Sequence, residues 1–345
     1  MLNLQFSDRL EFSFPQVHAD ARLVVTFRRT LRIPDDGRQY DLPPGLGNFP
    51  LVNVEGEVAA KLGDRLAKRG GVALPMYQSE AAWLAFEPHR ASGRGSAYPF
   101  AIKVAAGKRS AVTAKPYQDG LQQGDYCVAP KQLWLDGFAT GPGVVRQFVA
   151  APLGMGFTVE EQLDGKAEFG GLQLEVYPMR ADEYERRFPV RPAPVTRGAT
   201  RGGGLESFGG TRMLSVQSMG MAAGGTMKQQ VFADEFGLSA WDASAHDSVF
   251  VHLLNSLAWQ AVTGQAPPTA PRSAADYTRY NLPWFSHYAD GPVLGGGGET
   301  GKVQSATQLA EGKGFGVLPE NESCEPTNVV AIPPAPVGNV PSGTW

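Results

Sequence analysis

The stretch YPFAIKVAAGK, residues Tyr98 to Lys108, decides how this chain folds. Phe100, Ile102 and Val104 share one side of an extended backbone and Lys103 stands on the other, the period of two that marks a strand. Ala106-Gly107-Lys108 then supplies a hairpin turn. The same pattern extends outward in both directions. Leu23, Val25 and Phe27 alternate with Val24, Thr26 and Arg28, and Pro34-Asp35-Asp36-Gly37 and Pro43-Pro44-Gly45-Leu46-Gly47 break the chain after them. Further strands are predicted at Tyr126–Ala129, Val144–Ala150, Phe157–Leu163 and Leu172–Tyr177, with Gly165, Gly170 and Gly171 between the last two. The 42 glycines and 27 prolines are spread along the 345 residues, as many turns between short strands require. The expected fold is mainly β, with sandwich-like antiparallel sheets and a few short α-helices; α+β is the alternative.

Elsewhere the period changes. Val54, Val58, Leu62 and Leu66 recur every fourth residue before Gly70-Gly71, which predicts a short amphipathic helix. Pro75 to Phe86 fits helix and strand equally well. A β-rich domain is expected over 1–185, followed by a Gly/Pro/Arg-rich loop over 186–210, clearest from 189 onward. The remainder, 211–345, reads as a β-hairpin (Met213–Ser218 and Thr226–Phe232), a helical pair and an extended Pro-rich tail from Pro319. Whether it shares one core with 1–185 stays open. The first helix of the pair is placed from an N-cap at Ser248, with Phe250, Leu253, Leu254, Leu257, Ala258 and Ala261 on its apolar face, ending at Gly264. The second starts at Ser273, with Asp276 three residues on, and a polar helix is expected around Val303–Ala310.

The totals exclude several classes. A formal charge of −3 offers no general attraction to nucleic acid or anionic lipid. The two cysteines, Cys127 and Cys324, match no disulfide framework or zinc spacing. The start, MLNLQFSDRLEF, has neither the basic nor the apolar region of a signal peptide. No run reaches the ~18 apolar residues of a spanning helix; the richest, Val249 to Val262, is interrupted by His252, Asn255, Ser256 and Gln260. A cytoplasmic protein with no membrane span is the expectation.

Several long segments together, among them LPPGLGNFPL, GGVALPMYQSEAAWLAF, WLDGFATGPGVVRQFVAAPLGMGFTVEEQLDG and FGGLQLEVYPM, resemble a family of uncharacterised bacterial and fungal proteins. The resemblance covers most of the chain except 189–210 and implies no particular catalytic or binding residue. Some relatives carry an "integral membrane protein" label, with which the missing apolar run is at odds.

Motifs of known chemistry are incomplete. Gly296 to Lys302 has the spacing of a phosphate loop, but Val303 stands where a magnesium-binding hydroxyl belongs and Glu299 would put a negative charge inside the cradle. His246 and His252 are six residues apart, too poorly spaced for a metal pair on one helix face. Glu160 and Glu161 would point to opposite sides of a strand, a poor acid–base pair. Cys127 reads as a buried, inert thiol. The arginines from Arg186 to Arg212 lie in a Gly- and Pro-rich run that reads as a solvated loop, so nucleic acid is a poor partner. No cofactor or metal is implied. The candidate ligand-binding residues are Tyr77, Trp83 and Trp134 as aromatic platforms, and Lys103 and His252 as polar groups. A structural or self-assembly role, with the chain itself or another protein as partner, leads. A glycan- or small-ligand-binding module, or an enzyme whose residues converge only in space, are the alternatives.

Overall fold

A computed structural model describes residues 1–90, 96–190, 218–287, 292–295, 299–314 and 321–332. The strands run as β1 (Leu2–Gln5), β2 (Arg9–Ser13), β3 (Arg22–Thr30), β4 (Gln39–Tyr40), β5 (Gly45–Asn48), β6 (Val52–Asn53), β7 (Val72–Pro75), β8 (Ala81–Pro88), β9 (Phe100–Ala106) and β10 (Arg109–Ser110). They continue as β11 (Cys127–Ala129), β12 (Trp134–Leu135), β13 (Gly137–Gly141), β14 (Val144–Pro152), β15 (Leu172–Pro178), β16 (Ser218–Lys228), β17 (Asp247–Leu254), β18 (Trp284–His287) and β19 (Val329–Ile332). The helices are α1 (Gly56–Leu62), α2 (Asp64–Ala67), α3 (Val159–Asp164), α4 (Ala181–Arg187), α5 (Ser256–Thr263), α6 (Ala274–Arg279) and α7 (Ala306–Gly312). The protein is mainly β, and most strand pairs are antiparallel.

Among the described residues, strands β1 to β17 form one hydrogen-bonded network. One arm runs β2–β3–β8–β14–β16, the other β11–β9–β15. Strand β17 joins them. Its Asp247–Val251 half pairs with β15, its Leu253–Leu254 end pairs with β16, and β7 lies parallel along its far side. Leu23, Phe27, Phe100, Ile102, Val176, Val251 and Trp284 belong to one buried cluster, so residues on both sides of 191–217 pack into the same core.

At the opening stretch, β9 is buried on both faces. Phe100, Ile102 and Val104 face the apolar cluster, and Lys103 on the other face is only 2% exposed. The turn after it holds Gly107 at φ 57° and Lys108 at φ 61°, the pair of positive angles that a tight hairpin needs. A side chain at Gly107 would meet Cβ of Glu160 at 2.5 Å.

Four expectations need correction. The helix placed from Ser248 is instead strand β17. Val249, Val251 and Leu253 alternate into the core between β15 and β7, and the helical spacing of Phe250, Leu253, Leu254 and Leu257 spans a strand and the helix after it. Helix α5 starts later, where the Asn255 side chain accepts from the Ala258 N–H at 2.8 Å. Residues Phe157–Leu163 are not a strand, because Thr158 and Glu161 close a reciprocal capping box on α3. The helix over 54–68 is two short helices divided at Gly63, whose φ is 82°. The turn expected between Ser218 and Thr226 is instead the middle of one strand, β16, from Ser218 to Lys228; Met213 to Gln217 of the expected hairpin lie outside the described residues. Pro75–Phe86, ambiguous in sequence, divides between the end of β7 and most of β8.

Glu160 and Glu161, expected on opposite faces of a strand, act instead as backbone clamps on α3. Glu160, 2% exposed, accepts from the N–H groups of Glu168, Phe169 and Gly170 at 2.9, 2.6 and 2.7 Å. Glu161 accepts from Gly154 and Gly156 at 2.6 and 3.0 Å. Replacing Glu160 strands those donors, so Glu160→Ala is expected to lower unfolding free energy by about 3 kcal/mol in urea titration. Glu168→Ala, at an exposed position, should stay within about 0.5 kcal/mol of the parent.

Candidate functional site

The β15 segment LQLEVYP alternates, with Leu172, Leu174 and Val176 turned to the core and Gln173, Glu175 and Tyr177 on the opposite face. Register sets Glu175 directly opposite Lys103 on β9 and Ser248 on β17. These polar faces, the loop after β10 and the turn before β7 enclose a cavity of about 550 Å³. Lys103 lies beneath its floor, beside the lining residue Glu175. Its ammonium donates to the carbonyls of Gln118 and Gly120, both at 2.5 Å, and stands 3.4 Å from Asp125 and 3.9 Å from Glu175. With its donors so engaged, Lys103 anchors the loop.

Glu175 connects the floor to the open side. The Tyr117 hydroxyl donates to one of its oxygens, and Nε2 of His246 lies 3.4 Å from the other. The His246 ring stacks on Tyr177 at 4.9 Å and 19°, and its side chain is 43% exposed toward the cavity. Burial and the adjacent carboxylate push the Tyr117 and Tyr177 phenols upward, so both remain neutral donors. Burial raises the Asp125 carboxyl, and the Lys103 charge opposes that rise. Two more cations line the walls. Lys108 rests over the Tyr117 ring at 4.4 Å, and Arg69 lies 5.0 Å from the Phe250 ring, its N–H groups on the carbonyls of Phe169 and Glu168. Gly71 lets this wall close on β17, since a side chain there would meet the Phe250 carbonyl at 2.0 Å.

A second concavity, of about 220 Å³, sits on the other arm. Trp134 faces Ala85 across β12 and β8, so Trp83, two residues earlier, is its diagonal neighbour on the same face. Asp136, two residues past Trp134, shares the cleft wall, and Phe285 closes the far side through paired backbone bonds with Leu42 at 2.8 and 2.9 Å. Asp136 is 5% exposed and accepts from Gln229 Nε2 at 2.5 Å. Burial pushes its carboxyl up to about 7.

The five residues singled out in the sequence therefore go to separate places. Lys103 lies under the polar cavity, and Trp83 and Trp134 meet at the aromatic cleft. His252 is 3% exposed, 2.9 Å from the Gly70 carbonyl, and burial lowers its imidazole to about 4, so it is a neutral core group. It and His246 serve different partners. Tyr77 ties down a loop: its hydroxyl donates to the Pro268 carbonyl at 2.8 Å. The adjacent Glu80 forms a buried 2.7 Å pair with Arg29. Sequence reading missed Tyr117, Asp125, Glu175 and His246 as a group. The available signal was the Gln-x-Glu-x-Tyr alternation of β15 with Lys103 on the polar side of its neighbour. Cys127 is fully buried, with its thiol raised to about 12 by desolvation. Of the phosphate-loop near-match, Gly296 to Gly298 lie outside the described residues; Glu299 pairs with Arg109 at 3.3 Å. Arg186 and Arg187 pair with Glu183 on α4, and the arginines at 191, 197, 201 and 212 lie outside the described residues. No helix among the described residues is long and apolar enough to cross a membrane.

No protein-family model, curated protein or solved structure matches the chain.

Asp136 supplies a pH signature. Its folded pKa lies above the ordinary value of 3.8, so the folded state holds the proton more tightly. This contribution to stability is present at acid pH and lost as pH rises from about 4 through 7. Asp136→Asn should match its parent near pH 4 and exceed it by a few kcal/mol at pH 8, measured by urea unfolding at both pH values.

Proposed function

We propose that this protein binds a small polar molecule in the 550 Å³ cavity and that His246, oriented by Glu175, exchanges a proton with it. The observation that carries this reading is the position of Glu175, a carboxylate 8% exposed that meets Tyr117, Lys103 and an open-faced imidazole at once. A buried carboxylate beside a histidine fixes the orientation of its ring, the arrangement general acid–base chemistry uses. Tyr117 and Lys103 hold Glu175 in place from the protein side, which leaves His246 as the group that meets solvent and ligand.

The test is a panel of hydroxy, amino and keto acids screened by thermal shift, with hits followed by NMR of the histidine ring protons. A hit is expected to move the His246 signals and to leave those of His252 unchanged. Glu175→Gln and His246→Gln should each weaken binding or turnover at least ten-fold with the fold retained. A ligand that binds this cavity equally well in both variants would overturn the assignment.

A separate observation favours self-association as a second reading. Strand β19 pairs only with β18 among the described residues, and Val329, Val330 and Ile332 on it are 41%, 45% and 38% exposed. Apolar strands at a sheet edge pair readily with other chains. Val330→Lys should then shift an oligomer to monomer in light scattering, and an unchanged mass would remove this reading.

A further inference from the structure

The cleft at Trp83 and Trp134 has a chemistry unlike that of the polar cavity. Among the described residues its lining is aromatic and aliphatic apart from one carboxyl, Asp136, and includes no lysine, arginine or histidine. Indole faces attract cations through their quadrupole, and two or more such faces beside a carboxyl form the cage that takes alkylated ammonium groups. We propose that this cleft binds a trimethylammonium group, with Trp83, Trp134 and Phe285 enclosing its methyl groups and Asp136 facing its charge.

The surrounding charges permit it. The Arg28 guanidinium already lies 5.2 Å from the Trp83 ring, which shows that this indole accepts a cation. Its own charge is answered by Glu87 at 2.9 Å, so it opposes a second cation only weakly. His287 stands with its ring 4.8 Å from Trp134, and burial lowers its pKa, which keeps it neutral at physiological pH. On the adjoining β4 side, Asp41 pairs with Lys228 at 3.3 Å. A neutral apolar guest would fill the same space without drawing on the carboxyl, which already accepts from Gln229. A quaternary cation uses both the faces and the acid, and needs no hydrogen-bond donor of its own. The volume of about 220 Å³ suits a compact headgroup rather than a long chain. The site is independent of the proton-transfer reading, because it shares no lining residue with the polar cavity.

The experiment uses the full-length protein and two probes of nearly the same shape, choline and its uncharged isostere 3,3-dimethylbutan-1-ol, each titrated by tryptophan fluorescence and calorimetry. Saturable binding of choline, at least ten-fold tighter than the isostere, is expected. Trp83→Leu and Asp136→Asn should each weaken choline binding ten-fold or more, and Trp83→Phe should retain part of it. Thermal unfolding of each variant separates a lost site from a lost fold. Equal affinity for the two probes, or choline binding unchanged in folded Asp136→Asn, would overturn the proposal.

Discussion

The placement of Lys103 governs much of the rest. An ammonium on the second face of a strand buried on both sides is tolerable only with acceptors around it, because an unpaired buried charge costs several kcal/mol. The chain meets that need locally and at a distance. The loop after β10 folds back so that the Gln118 and Gly120 carbonyls reach the nitrogen, Asp125 closes from the same loop, and Glu175 arrives from the next strand by register. Shifting β15 by one residue would set Leu174 or Val176 against the charge and turn the Leu-Val face outward. One buried cation thus fixes both a strand register and a loop.

The cavity is a by-product of that solution. Glu175 cannot neutralise Lys103 without also facing the space above it, and Tyr117 and His246 occupy that space as its partners. The carboxylates of α3 do the opposite work. Glu160 and Glu161 are spent on backbone N–H groups and offer nothing to a ligand. Environment alone separates the role of Glu175 from that of Glu160 and Glu161.

Much of the fold was legible because β9, β11, β14 and β15 carry alternation and turn residues within their own few positions. The failures lie where two patterns coincide. Residues 248–257 satisfy helical spacing only because a strand ends at Leu254 and a helix begins at Ser256. Residues 157–163 have strand-like apolar content, yet the Thr158–Glu161 box outweighs it. Of the site, Lys103, Trp83 and Trp134 were visible as residues out of keeping with their surroundings. Their partners were not, since the pairing of Lys103 with Glu175 spans 72 positions and depends on a register that no local pattern encodes.

Strand β17 has one more consequence. Among the described residues it is the last in chain order of the seventeen networked strands, yet it lies between β15 and β7 and closes onto β16. During synthesis, β7 and β15 therefore wait with open edges until residues 247–254 have left the ribosome. Those backbone edges remain unpaired for the time it takes to make more than seventy residues beyond β15. A nascent chain of this kind has good reason to meet a holding chaperone before it is complete.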